Sequence, residues 1–193
     1  PGRLGAVRLI LVRHGRTVAN VMQALDTAFP GHPLDDVGLR EADGLPGRLK
    51  QAGLLEGLGS LWVSPIRRAR QTIAPIEAAT GLSATVDSGL REVLAADLEM
   101  NTDARSVACY VDTTRAWMAG RPACRIPGSP EDGSDTLRRF DDVVRRIVEQ
   151  TARTGDSAAL LVSHGTALRL WSSLKAAPGG GVDPLWIAER PMH

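Results

Sequence analysis

Two histidines stand where their types and neighbours could support catalysis: Arg13-His14-Gly15 early in the chain and Ser163-His164-Gly165 far downstream. An imidazole with an unprotonated nitrogen is a nucleophile near neutral pH, provided its other nitrogen is held by an acceptor. The glycine after each histidine lets the backbone come close to a ligand. Arg13 adds a fixed positive charge beside the first. A third segment, Ser64-Pro65-Ile66-Arg67-Arg68-Ala69-Arg70-Gln71-Thr72, places arginine at the start of a predicted helix. Free N–H groups and the positive dipole end attract anions there, and a guanidinium fork fits phosphate oxygens. Arg68 is the candidate ligand; Arg67 and Arg70 read as a solvated helix face. Finally, Leu90-Arg91-Glu92 offers a carboxyl group able to protonate a leaving group and then take a proton from water. Singly, each feature is bland, since strand-end histidines are often structural and lone glutamates usually lie on surfaces. Their weight lies in being combined.

The elements that must position these residues are legible from apolar runs. Leu9-Ile10-Leu11-Val12 precedes His14, and Ala159-Leu160-Leu161-Val162 precedes His164. Short runs apolar on both faces read as buried strands of a parallel sheet, whose ligands bind beyond the carboxyl ends. Further strands are predicted at Ser60–Ser64 and Ser83–Val86. Helices are predicted at Leu39–Ala52, kinked by Pro46, and at Arg67–Ala79, with Pro65 at the first helical position and a disturbance at Pro75. Arg16 to Val37 is turn-rich, with Pro30, Gly31 and Pro33 as breakers. Glu92 to Gly120 is hard to read, with a helix around Val107–Met118 over the crevice and a loop at Gly128–Gly133. Thr136–Thr151 carries Leu137, Phe140, Val144, Ile147 and Val148 on one helical stripe. A last helix, Thr166–Lys175, ends at Pro178 and Gly179-Gly180-Gly181. This alternation predicts an α/β fold: a three-layer α/β/α sandwich with a mainly parallel central sheet.

Composition narrows the partners. The chain has 193 residues, 43% hydrophobic and 23% charged, which suits one domain over 1–193. Lys+Arg number 23 against 22 Asp+Glu, so bulk charge names no partner. Arginine instead crowds locally, at Arg13, Arg16, Arg67, Arg68 and Arg70. A nucleic-acid groove is disfavoured because Phe29, Phe140, Tyr110 and the four tryptophans are scattered. Cys109 and Cys124 lack metal-ligand spacing and read as small hydrophobes. No apolar stretch approaches the ~20 residues that span a bilayer. Pro1 to Val12 has no secretory apolar region, so the expectation is a cytoplasmic protein without membrane partner. The sequence begins at Pro1 without methionine.

In order, these segments resemble the histidine phosphatase superfamily, with its phosphoglycerate mutase-like fold. The resemblance rests on R-H-G-x-T-x-x-N at Arg13–Asn20, P-L-x-x-x-G at Pro33–Gly38, S-P-x-x-R-A-x-Q-T at Ser64–Thr72, L-R-E at Leu90–Glu92 and S-H-G at Ser163–Gly165. It implies that His14 is a nucleophile that becomes phosphohistidine. It further implies that Arg13, Arg68 and His164, with Gly165 beside them, bind the phosphoryl oxygens and that Glu92 is the acid and then the base. Asn20 and Thr17 match positions that line or support the pocket. Phosphoryl transfer asks mainly for positioning and charge stabilisation, which two guanidiniums and an imidazole supply without a metal or cofactor. No carboxylate cluster suited to magnesium is visible.

The chain also departs from the family pattern. Ala96-Asp97-Leu98-Glu99-Met100 stands where relatives carry a G-x-W-E-G stretch, which reshapes the wall beside Glu92. Glu41 replaces a common glutamine, and His193 reads as a chain end rather than a ligand. The expected activity is hydrolysis of a small-molecule phosphomonoester. A cofactor-dependent phosphoglycerate mutase and a non-catalytic phospholigand binder are the alternatives. Selectivity is expected from Met22–Pro33 and from a cap around 93–130. There Phe29, Leu98, Met100, Tyr110 and Trp117 offer an apolar wall, Trp117 being better explained by core packing. No heptad or exposed stripe indicates an oligomeric state.

Overall fold

The structure is a computed structural model that describes residues 7–176. The expected breakers at Pro178 and Gly179–Gly181, the reading of His193 and the first six residues lie outside the described residues.

Four parallel strands form one sheet: β1 (Arg8–Arg13), β2 (Leu58–Val63), β3 (Ala84–Val86) and β4 (Ala158–Ser163), in the order β1-β4-β2-β3. β4 lies between β1 and β2, and every one of its residues is buried. Its side chains alternate between two cores. Ala159 and Leu161 pack with Trp62, Phe140, Ile147 and Leu168, whereas Leu160 and Val162 pack with Ile10, Leu49, Leu61 and Ile73. Helices α2 (Asp36–Gln51) and α3 (Arg67–Thr80) therefore cover one face. Helices α4 (Ala104–Met118), α5 (Gly133–Thr154) and α6 (Gly165–Trp171) cover the other, and a four-residue α1 (Val18–Val21) follows β1. This is the expected sandwich, a parallel sheet flanked by helices.

Helix ends differ from the expected ones for reasons of capping. α2 starts at Asp36, not Leu39, because the Asp35 carboxylate accepts the Gly38 N–H. Pro46 lies within α2, which continues past it. α3 starts at Arg67 with Ile66 at the N-cap, so Pro65 stands outside the helix. α4 starts at Ala104 under an Asp103 cap. α5 starts at Gly133 because Asp132 and Asp135 form a reciprocal capping box, which shortens the predicted loop by one residue. α6 ends at Trp171 and widens into a π turn over Ser172–Ala176, where one helix to Lys175 was expected.

The motif glycines meet in space. A Cβ on Gly38 would lie 2.1 Å from the Arg16 carbonyl oxygen, and one on Gly15 would lie 2.8 Å from the Gly38 oxygen. Backbone-to-backbone contact this close excludes any side chain, so the P-L-x-x-x-G and R-H-G elements are two halves of one packing contact. The Gln71 and Thr72 side chains add to it. Gln71 Oε1 accepts the Leu34 N–H at 2.9 Å, and Thr72 Oγ1 accepts the Gly15 N–H at 3.0 Å. These bonds tie α3 to the segment that carries His14.

Candidate active site

His14 and His164 follow neighbouring strands β1 and β4, whose paired ends are Arg13 and Ser163. Parallel register therefore sets the two histidines side by side, with ring centroids 5.1 Å apart and planes at 57°. His14 is buried. Its Nδ1 lies 2.7 Å from the Gly15 carbonyl oxygen, a contact that only an N–H can make favourably. The lone pair consequently sits on Nε2, where it accepts the Arg68 Nε–H at 3.0 Å. Burial lowers the His14 pKa to about 3, helped by the positive charges of Arg68 and Arg13 and opposed by the Gly15 bond. Neutral His14 with an unprotonated Nε2 is a nucleophile ready at ordinary pH.

His164 sits behind this ring, fully buried, with Nε2 2.7 Å from Ser64 Oγ. Its Nδ1 has no hydrogen-bond partner among the described residues. Its pKa is lowered well below the usual histidine value, by burial first and then by His14 and Arg68. The serine of S-P-x-x-R thus serves the second histidine, while the arginine of the same motif serves the first.

Glu92 is buried and accepts three backbone N–H groups. Oε1 takes Val93 at 2.8 Å and Ala167 at 2.9 Å, and Oε2 takes Thr166 at 3.1 Å. The last two are orphan donors of the first turn of α6, so the carboxylate is seated by the helix that follows His164. Its own backbone is fixed by Arg139, which donates to the carbonyls of Gly89, Arg91 and Glu92 at 2.8, 2.9 and 3.0 Å. Arg139 also donates to Glu131, and Ser163 Oγ donates to the Leu90 carbonyl at 2.7 Å.

These groups surround a hollow of about 200 Å³ lined by Arg13, His14, Asn20, Arg68, Glu92 and Gly165 among others. A larger hollow of about 760 Å³ opens on the other side of His14 toward Leu45, Leu49 and Leu54, but includes neither Arg68 nor Glu92. The smaller one is the candidate site. Of the expected residues, His164 does not line it and stands behind His14. Thr17 does not line it either: it is buried at the N-cap of α1, in a capping box with Asn20 that fixes the latter at the rim. Arg67 and Arg70 are exposed, as expected.

Several lining residues were missed. Asp26, Thr27, Thr166 and Arg169 all face the hollow. Asp26 Oδ2 accepts Arg68 Nη1–H at 3.2 Å, and the Asp26 carbonyl accepts Arg68 Nη2–H at 2.8 Å. Nothing in the periodicity marks Asp26, because it lies in a loop 42 residues from its partner. Of the five candidates for an apolar wall, Tyr110 lines the hollow, with its hydroxyl donating to the Val93 carbonyl at 2.9 Å. Trp117 is in the core, Leu98 packs against it, and Phe29 and Met100 are exposed.

The departure at Ala96–Met100 has a backbone explanation. Ala96 and Met100 have φ of 51° and 61°, the left-handed region, at both positions where the resemblance places glycine. The backbone path is that of a glycine-bearing stretch although neither residue is glycine. Glu99 holds it, accepting the Thr27 and Ala28 N–H groups at 2.7 and 2.9 Å and the Thr27 hydroxyl. Two backbone bonds, Leu25 N–H to Asn101 at 3.1 Å and Met100 N–H to Leu25 at 3.0 Å, complete the clamp.

The depressed histidine has a thermodynamic consequence. In the unfolded chain a histidine binds a proton below about pH 6.5, whereas folded His14 resists until about 3. His14 therefore contributes stability above pH 6.5, and this is lost as pH falls toward 3, at about 1.4 kcal/mol per unit. Urea unfolding at pH 7, 5.5 and 4.5, as order-of-magnitude steps across that window, is expected to show a shallower decline in His14→Asn than in the unaltered protein. Equal slopes would mean that His14 is not held neutral.

Residues 9–183 match the sequence profile of the histidine phosphatase superfamily (branch 1). A bifunctional protein of Mycobacterium tuberculosis is 29% identical over 191 residues, covering 94% of this chain and 49% of its own length. The chain thus spans about half the length of such mycobacterial relatives. A probable phosphoglycerate mutase of Proteus mirabilis is 30% identical over 166 residues, covering 84% of this chain and 71% of its own. Among solved structures, a mycobacterial glucosyl-3-phosphoglycerate phosphatase complexed with VO3 superposes with a TM-score of 0.74 at 26% identity, covering 97% of this chain and 89% of that one. Among the described residues no helix is long and apolar enough to cross a membrane.

Proposed function

The chain belongs to the histidine phosphatase superfamily (branch 1), and from that premise we propose that it hydrolyses a phosphomonoester through a phosphohistidine on His14, without a divalent metal. One observation carries the reading: the neutral His14 presents its Nε2 lone pair to the guanidinium of Arg68 in the same hollow as the Glu92 carboxyl group.

In this mechanism an incoming phosphoryl group takes over the Arg68 Nε–H from His14, which frees the lone pair to attack phosphorus. Arg13 and Arg68 stabilise the charge spread over the non-bridging oxygens, which is the main demand of phosphoryl transfer, while His164 backs the His14 ring from behind. Guanidinium groups meet that demand in place of a metal ion. Glu92 protonates the departing alkoxide oxygen, then takes a proton from the water that attacks the phosphohistidine, so one displacement becomes two. Thr17 acts indirectly, by holding Asn20. The 93–130 segment is the specificity cap of a single domain.

The test is to trap the intermediate. Quenching turnover of a labelled phosphomonoester in alkali is expected to leave phosphate on the chain, and an acid quench to release it, as for a phosphoramidate. Phosphate release is expected to proceed unchanged with a chelator present. Absence of any alkali-stable label, together with inhibition by the chelator, would count decisively against the proposal. The likeness to a probable phosphoglycerate mutase supports a second reading, isomerisation within the same pocket. Incubation with 3-phosphoglycerate and 2,3-bisphosphoglycerate separates the two: rapid 2-phosphoglycerate with little free phosphate would favour the mutase.

A further inference from the structure

We infer that Asp26 is a specificity-determining residue, and that the substrates are monophosphates of small alcohols bearing a second hydrogen-bond donor. The inference rests on the phosphatase reading and deepens it.

The Asp26 side chain is only 7% exposed and lines the same hollow as His14, Arg68 and Glu92. A negative charge beside a phosphoryl site opposes the binding of a phosphate, so the carboxylate needs a reason beyond bracing an arginine. Its two oxygens differ. Oδ2 accepts Arg68 Nη1–H at 3.2 Å and the His32 N–H at 3.0 Å, and lies 3.1 Å from His32 Nδ1. Oδ1 accepts no hydrogen bond among the described residues. Oδ1 is not among the buried atoms without a partner, so it keeps access to solvent, and a ligand donor that replaces water there gains a hydrogen bond to a charged group.

The loop cannot easily turn Asp26 away. Its neighbours Leu25, Thr27 and Ala28 are fastened to Asn101 and Glu99. The other acceptors nearby are neutral or already engaged: the Tyr110 hydroxyl donates its hydrogen to the Val93 carbonyl, Asn20 Oδ1 accepts the Thr17 N–H, and both Glu92 oxygens accept backbone N–H groups. A hollow of about 200 Å³ has room for the phosphoryl group and a few further heavy atoms. A short alcohol with an extra hydroxyl or ammonium group satisfies both conditions.

Matched substrates that differ only in that donor test the inference. Glycerol 3-phosphate against n-propyl phosphate probes a hydroxyl, and phosphoethanolamine against ethyl phosphate probes an ammonium group. The unaltered protein is expected to favour the donor-bearing member of at least one pair by about 10- to 100-fold in kcat/KM. In Asp26→Asn, where an acceptor can be replaced by a donor, that ratio is expected to fall toward one. Ratios near one in the unaltered protein would overturn the inference without recourse to any variant. A parallel loss on both members of each pair, leaving the ratio intact, would overturn it too, by reducing Asp26 to a brace for Arg68. Failure of every substrate, including p-nitrophenyl phosphate, would instead overturn the phosphatase reading, and this inference with it.

Discussion

Replacing His14 with alanine is expected to abolish phosphate release, a loss of roughly 10⁴-fold or more. Among the described residues no other group in the hollow can substitute. His164 lies behind the first ring, fully buried, and the Glu92 oxygens are occupied by the Val93, Thr166 and Ala167 N–H groups. The variant also separates chemistry from binding. Arg13 and Arg68 remain, and His14→Ala deletes one acceptor of Arg68 while its bonds to Asp26 persist. Inorganic phosphate is therefore expected still to protect the variant against thermal unfolding. Undiminished turnover of an aryl phosphate by the variant would remove His14 from the mechanism.

Glu92→Gln is expected to lower turnover of alkyl phosphates by about 10²- to 10⁴-fold, the usual share of general acid–base catalysis. A p-nitrophenolate leaves without help, so attack on p-nitrophenyl phosphate is expected to survive. The following hydrolysis still lacks its base, and phospho-His14 accumulates. A stopped-flow trace should then show a burst of p-nitrophenol near one equivalent per chain, followed by a slow phase. The carboxamide oxygen can keep a bond from Ala167 N–H, and Arg139 still grips the Glu92 carbonyl, so geometry is largely preserved. Equal slowing of aryl and alkyl substrates, with no burst, would show that Glu92 is structural.

Much of this is legible in the sequence, for a definite reason. β1 and β4 announce themselves because a strand buried on both faces must be apolar throughout, and His14 and His164 follow from where those runs stop. The amphipathic stripe of α5 was equally plain, since Phe140, Val144 and Ile147 face one core. What escaped was whatever depends on a contact between irregular segments. Asp26 against Arg68 and Thr27 against Glu99 obey no period, and neither residue type is unusual in a loop. Arg139 was hidden differently: it belongs to a helix whose polar side looks solvated, yet it reaches three carbonyls of the L-R-E segment. Signals did exist for Glu99 and for Arg169 in the lining of the hollow. Glu99 keeps the acidic position of G-x-W-E-G, and Arg169 lies one helical turn and a residue beyond His164, on the helix that seats Glu92.

The bond set around Glu99 bears on the thermodynamics of ligand capture. Its carboxylate joins stretches 72 residues apart, so the wall of the hollow formed by Ala24 to Thr27 becomes ordered as the chain folds. Such a preorganised receptor spends little conformational freedom when a small oxyanion arrives. Affinity should then follow ionic strength, through the arginines, far more than it follows solvent viscosity or any slow loop rearrangement.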